Sequence, residues 1–215
     1  MNLFKTFSYL NLFCLCIALQ AKIDPQKPLK GFLLGLQQPH ALLPSDVNPE
    51  LHGETPSQLW SAKYMVEQLG CDSIKIGMSQ QNLKRQGITV DKDTTLLDYA
   101  QMPLYKEIID LPYKTIYFWA HGTIKPRYFK EQHAEILYKE FYDFTKYLLT
   151  QYNNSGKVFM IGNWEGDWLM GGKNTGPTEN LSEDHIQKMI SWLNIRAQAV
   201  QDAKRDTPQI GRAHV

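Results

Sequence analysis

Four short apolar runs, and the distance between them, constrain this chain more than any other feature. They lie at residues 31–36 (Gly-Phe-Leu-Leu-Gly-Leu), 74–78 (Ile-Lys-Ile-Gly-Met), 115–120 (Thr-Ile-Tyr-Phe-Trp-Ala) and 158–161 (Val-Phe-Met-Ile). Their starts recur roughly every forty residues, which reads as repeated strand–helix units rather than a short solenoid repeat. The runs are continuous rather than alternating, as expected of parallel strands covered on both faces.

Helical patterns fill the intervals. Thr55-Pro56-Ser57-Gln58 combines a capping residue, a proline at the first helical position and a glutamine two residues on. Leu59, Ala62, Val66 and Leu69 follow at steps of three and four, and Gly70 closes the helix. A second helix is predicted over 96–109, interrupted near Pro103. A third carries Leu137, Phe141, Phe144 and Leu148 on one stripe. A fourth starts near Ser182, with Glu183 and Asp184 in its first turn and Ile186, Ile190, Leu193, Ala197 and Val200 as its stripe.

The order is therefore β-α-β-α-β-α-β-α, which suits an open doubly wound sheet or a barrel. The first run leads into Gln37-Gln38-Pro39-His40, with neither a G-x-G-x-x-G turn nor a P-loop, so a nucleotide-binding open sheet is disfavoured. The expected fold class is α/β, the N-terminal half of a (β/α)8 TIM barrel, over a domain at 22–209. Such a half exposes strand edges and one side of its core, so it is expected to be unstable or oligomeric by itself.

The two ends read differently. Lys5, an apolar run from Phe7 to Leu19, and small residues at Ala18 and Ala21 make 1–21 a secretory signal peptide, too short for a spanning helix. Residues 210–215 (Ile-Gly-Arg-Ala-His-Val) match the translation of a common sequencing adapter. They are read as an adapter-derived tail, and the gene is expected to continue beyond Gln209. Cys14 and Cys16 fall in the signal, so the mature chain keeps only Cys71 and no intrachain disulfide; a buried structural thiol is expected there. A formal net charge of +1 with no basic stripe points away from nucleic acid and from an anionic membrane after signal cleavage. The protein is expected to be secreted or periplasmic.

In barrels of this kind the active site lies at the C-terminal ends of the strands. The candidates there are Gln37, Gln38 and His40, then Ser79 and Gln80, then His121, and finally Gly162-Asn163-Trp164-Glu165-Gly166-Asp167-Trp168. The last stretch sets two tryptophans and two carboxylates among glycines. Period-two alternation, if the strand extends that far, puts Ile161, Asn163 and Glu165 on one face and Trp164 on the other. Glycosidic bond cleavage needs a proton donor on the leaving oxygen and a second carboxylate, and aromatic platforms suit sugar rings. Glu165 could be the donor, its pKa raised against Trp164 or Trp168. Asn163 could bind a sugar hydroxyl, and Asp167 could orient Glu165 or bind substrate.

On these residues the chain resembles the clan-A retaining glycoside hydrolases, secreted barrels with an Asn-Glu pair at the end of the fourth strand. The resemblance implies that Glu165 is the acid/base, with the nucleophile downstream of this chain. Trp164 separates Asn163 from Glu165, whereas the clan has the pair adjacent. The chain is also similar to uncharacterised exported proteins with an Asn-Trp-Glu-Gly-Asp-Trp run and a later Trp-Leu-Asn-x-Arg helix, here Trp192 to Arg196. The functional expectation is an exported retaining glycoside hydrolase acting on an oligo- or polysaccharide. Its catalytic residue is Glu165, and its substrate-binding residues are Asn163, Trp164, Asp167, Trp168, His121 and Gln37. The alternatives are a secreted carbohydrate-binding barrel without catalysis and a barrel hydrolase with another chemistry, such as a metal-assisted one. No cofactor is expected. His40, His52, His133 and His185 lack ligand-like spacing, so no metal is expected either. The bland readings are that Glu165 is a solvated carboxylate or helix cap, that Trp164 and Trp168 pack under a loop, and that His121 is structural. Trp192 and Arg196, four apart, are expected to stack. Tyr138, Tyr142 and Tyr147 are read as packing, and Asn153 and Asn180 head glycosylation sequons.

Overall fold

The structure is a computed structural model that describes residues 35–37, 58–163, 170 and 181–207, all within one compact unit, Leu33–Val215. The expected signal peptide, the 210–215 tail and the Thr55–Ser57 capping sequence lie outside the described residues. No helix among the described residues is long and apolar enough to cross a membrane.

The strands are β1 (Gly35–Gln37), β2 (Ser73–Met78), β3 (Thr115–Ala120) and β4 (Val158–Gly162). All pair in parallel, in the order β1-β2-β3-β4. The helices are α1 (Gln58–Glu67), α2 (Gln80–Arg85), α3 (Leu96–Gln101), α4 (Pro103–Asp110), α5 (Ala134–Gln151) and α6 (Glu183–Asp206).

Local sequence explains most of these boundaries. Gly70 takes φ +66°, which a side chain would resist, and ends the first helical segment. Thr95 and Asp98 form a reciprocal capping box at the start of α3. Pro103 has no N–H to offer, so the predicted 96–109 helix splits into α3 and α4, with proline at the first position of the second. Leu137, Phe141, Phe144 and Leu148 are fully buried on α5, as their spacing predicts.

The core lies against one face of the sheet. Ile74, Ile76 and Met78, Ile116, Phe118 and Ala120, and Phe159 form one apolar cluster with residues of α1, α3, α4, α5 and α6. Phe118 sits at its centre, with Phe144 edge-on at 5.3 Å and Phe159 stacked at 6.0 Å. The other face is different. Along β3, buried Ile116, Phe118 and Ala120 alternate with half-buried Thr115, Tyr117 and Trp119, and Met160 on β4 is 49% exposed. The expectation of strands covered on both faces is thus corrected. A run that is continuously apolar because of Tyr and Trp fills a half-wet face as readily as a buried one.

The expected half of a (β/α)8 TIM barrel is corrected as well. The regular sheet is three parallel strands of five or six residues, β2 to β4, and among the described residues the first expected strand contributes Gly35–Gln37 beside them. The connections are not repeats of one unit: three helices join β2 to β3, while two 3₁₀ turns and one long helix join β3 to β4. The described chain is α/β with a parallel sheet, not four equal barrel units. Apolar runs at regular spacing report parallel strands and crossovers, but they carry no information about closure.

Helix α6 gives a third correction. Its buried residues are Trp192, Arg196, Ala199, Asp202 and Ala203. The predicted stripe faces outward, with Ile186, Ile190 and Leu193 each about two-fifths exposed. Arg196 and Asp202 are charged, so an apolar periodicity passes over the face that is in fact packed.

Candidate functional site

The C-terminal edge of the sheet brings together the ends of β2, β3 and β4, and the helices reach back to hold each one. Ser79, the residue after β2, accepts a hydrogen bond from Asn82 N at 3.3 Å and so caps α2. The Asn82 side-chain amide and the Tyr105 hydroxyl both donate to the Gly77 carbonyl, each at 2.9 Å. Gly77 must lack a side chain, because a Cβ there would collide with the Asn82 amide.

The segment after β3 is held by two long helices. Glu140 of α5 is 6% exposed and accepts from Thr123 N at 2.9 Å, Thr123 Oγ1 at 2.9 Å and Leu96 N at 3.1 Å. Burial raises its carboxyl pKa, and the Thr123 bonds and the Arg196 charge oppose that rise. Gly122 gives Glu140 its approach, since a Cβ would lie 2.9 Å from its Oε2. Trp192 Nε1 of α6 donates to the Ile124 carbonyl at 2.7 Å.

Arg196 ties the end of β4. Its Nη2 donates to the Gly162 carbonyl at 3.1 Å, and its guanidinium lies 4.0 Å from the Trp192 ring centroid and 4.3 Å from that of Phe141. The expected Trp192–Arg196 stack is therefore present. Arg196 is 5% exposed, and its Nε and Nη1 have no hydrogen-bond partner among the described residues. Burial pushes its pKa down to about 9, with Glu140 opposing, so the group stays cationic at neutral pH. His121, the first residue past β3, is half-buried. Burial, then the Lys125 and Arg196 charges, push its imidazole down to about 4. It is neutral at pH 7, and so is suited to hydrogen bonding rather than to holding an anion by charge.

The sequence candidates divide as follows. His121 and Asn163 stand at the ends of neighbouring strands β3 and β4, both half-buried. Strand β4 spans Val158–Gly162, so Asn163 follows its last residue, and Glu165, the far end of the expected alternation, lies outside the described residues. Gln37 pairs through its backbone with Lys75, and its side chain lies outside the described residues. Trp164, Glu165, Asp167 and Trp168 also lie outside them, as do Gln38, His40 and His52. Ser79 caps a helix, and Gln80 donates to the Val90 carbonyl at 2.9 Å, so both have structural work. Cys71 is buried, and burial with Asp72 beside it raises its thiol pKa, away from nucleophilic character. His133 Nδ1 accepts from Lys130 N at 3.2 Å in a local turn. Among the described residues no group of three His, Cys, Asp or Glu side chains could hold a metal ion.

Sequence reasoning missed Glu140 and Asn82 altogether, and took Arg196 only as a stacking partner. A signal for Glu140 existed: it stands three after Leu137 and four before Phe144, so a carboxylate interrupts the apolar face of α5. Compared with protein-family models, curated proteins and solved structures, the chain matches none.

Proposed function

We propose that this protein is an exported enzyme that hydrolyses glycosidic bonds at the C-terminal edge of its sheet, with Glu165 as the proton donor to the leaving oxygen. The observation that carries this reading is where β4 ends. It ends at Gly162, beside the end of β3 and under the Arg196 clamp. The Asn163-Trp164-Glu165-Gly166-Asp167-Trp168 stretch continues directly from that point. Covalent geometry alone keeps the Glu165 Cα within about 11 Å of the Gly162 Cα. The proposal stands on the composition of this stretch and on the edge from which it departs, and needs no barrel. Two carboxylates and two tryptophans in six residues supply an acid, a partner to orient it and aromatic surfaces for sugar rings. Neutral His121 and the Asn163 amide add hydrogen-bonding groups for hydroxyls. The second carboxylate that the chemistry requires would come from outside this stretch.

The test is hydrolysis of a panel of aryl glycosides and polysaccharides by the protein expressed from the complete gene, with Glu165→Gln beside it. The expected result is turnover that falls at least a hundredfold in the variant. An inert protein that still binds an oligosaccharide would instead make the chain a carbohydrate-binding module, a reading supported by the half-exposed Tyr117 and Trp119 on the sheet. A variant as active as the parent would remove Glu165 from the mechanism.

A further inference from the structure

The half-open face of the sheet carries side chains that the core does not use. Lys75 and Tyr117 lie opposite each other across the β2–β3 pairing, and Trp119 follows two residues nearer the C-terminal edge. The Lys75 ammonium stands 4.0 Å from the Trp119 ring centroid and 5.3 Å from that of Tyr117. Lys75 takes part in none of the ion pairs among the described residues. Glycine at 162 lets the Tyr117 ring lie down on β4: a Cβ there would strike the Tyr117 hydroxyl. The Arg196 guanidinium is bonded to the Gly162 carbonyl beside this ring. The carboxylate that acts on Arg196, Glu140, spends its oxygens on Thr123 and Leu96.

We propose that this face is a subsite for an acidic sugar, a hexuronate ring lying against Tyr117 and Trp119 with its carboxylate on Lys75. The inference rests on the carbohydrate reading above and adds the charge of the ligand. Charge complementarity selects the occupant. Two aromatic rings without a cation would suit any sugar face. Here an ammonium whose only counter-charge among the described residues is ring faces stands over them, and a buried guanidinium raises the local positive potential further. A carboxylate gives Lys75 the anionic partner that it lacks among the described residues, while the rings keep contact with the apolar face of the sugar. Any sugar that stacks on Trp119 has to move the ammonium off the ring, and only an acidic one offers it a counter-charge in return.

The test is calorimetric titration of the protein with a trigalacturonate and with its carboxyl-reduced, neutral trigalactose counterpart, at low and high sodium chloride. The expected result is that the acidic trimer binds about tenfold or more tightly than the neutral one and that the preference shrinks with salt. Lys75→Met is expected to abolish the preference and Lys75→Arg to keep it, with the circular dichroism of all three proteins unchanged. Equal affinity for the two trimers, or a preference that survives Lys75→Met, overturns the proposal. So does binding of neither trimer together with a concentration-dependent dimer that Lys75→Glu dissociates, which would make the face an interface between copies. Glu165→Gln separates this idea from the enzymatic reading, since it is expected to bind the acidic trimer as the parent does. Turnover of neutral glycosides with no role for Lys75 would sink the acidic subsite and leave the hydrolase standing. Acidic binding without turnover would do the reverse.

Discussion

Acid should destabilise this protein through His121, by an amount that the structure lets one work out. The imidazole is held near 4, against an ordinary value of 6.5, because burial and the charges of Lys125 and Arg196 disfavour its cation. Above pH 6.5 the folded and unfolded chains both carry it neutral. As pH falls through 6.5 the unfolded chain binds a proton that the folded chain refuses until about 4, so stability is lost across that window and levels off below it. The full difference corresponds to about 3 kcal/mol, and partial solvent contact trims the expected effect to about 2 kcal/mol. Glu140 works in the opposite sense. Its raised pKa means that its protonated form favours the fold, a contribution lost as pH rises through the folded value. A paired measurement separates the two. Urea unfolding of the parent and of His121→Gln, at about pH 7 and about pH 4.5, keeps Glu140 in both proteins. The parent should lose about 2 kcal/mol more than the variant on acidification. If both lose stability in parallel, the imidazole is not held neutral by its surroundings and the account of this edge is wrong.

The other expectations concern the same edge. Gly162→Ala forces a methyl into the Tyr117 hydroxyl; it should cost about 1–3 kcal/mol in urea unfolding, and the cost should fall in the double variant with Tyr117→Phe. Glu140→Ala leaves three buried or half-buried donors without their acceptor and should cost about 3 kcal/mol or more. Arg196→Met should behave quite differently: it gives up one bond to Gly162 but removes two unpartnered buried donors, and its thioether can occupy the place between Phe141 and Trp192. Its unfolding free energy should stay within about 1 kcal/mol of the parent. A loss as large as that of Glu140→Ala would mean that the guanidinium is a structural necessity.

Much of the fold was legible because short-range rules produced it. The third strand falls on 115–120 as predicted, the Pro103 break divides one helix into two, and the 137–141–144–148 stripe is buried throughout. Where charge and apolar packing share a face, the same rules failed. On α6 the packed face contains Arg196 and Asp202, while a neat stripe of Ile186, Ile190 and Leu193 points outward. Barrel closure was illegible for a different reason. It depends on how many strands pair and how they stagger, and no local pattern encodes that. The clamps of the candidate site were hidden because each joins residues far apart in the chain: Glu140 to Leu96, Trp192 to Ile124, Arg196 to Gly162. The one part that had been visible was Trp192 with Arg196, four residues apart on a single helix.

The central claim is that Glu165 donates a proton to the leaving oxygen, and the most direct test is how its loss depends on the leaving group. The kcat/KM values of Glu165→Gln and of the parent, which report the step that releases the phenol, should be compared on aryl glycosides whose phenols range from acidic to weakly acidic. The account predicts a near-normal rate of bond cleavage with the most acidic phenol, which needs no proton, and a deficit that grows to a hundredfold or more with the least acidic. A deficit of the same size across the whole series would contradict it, and would assign Glu165 to binding or to structure instead.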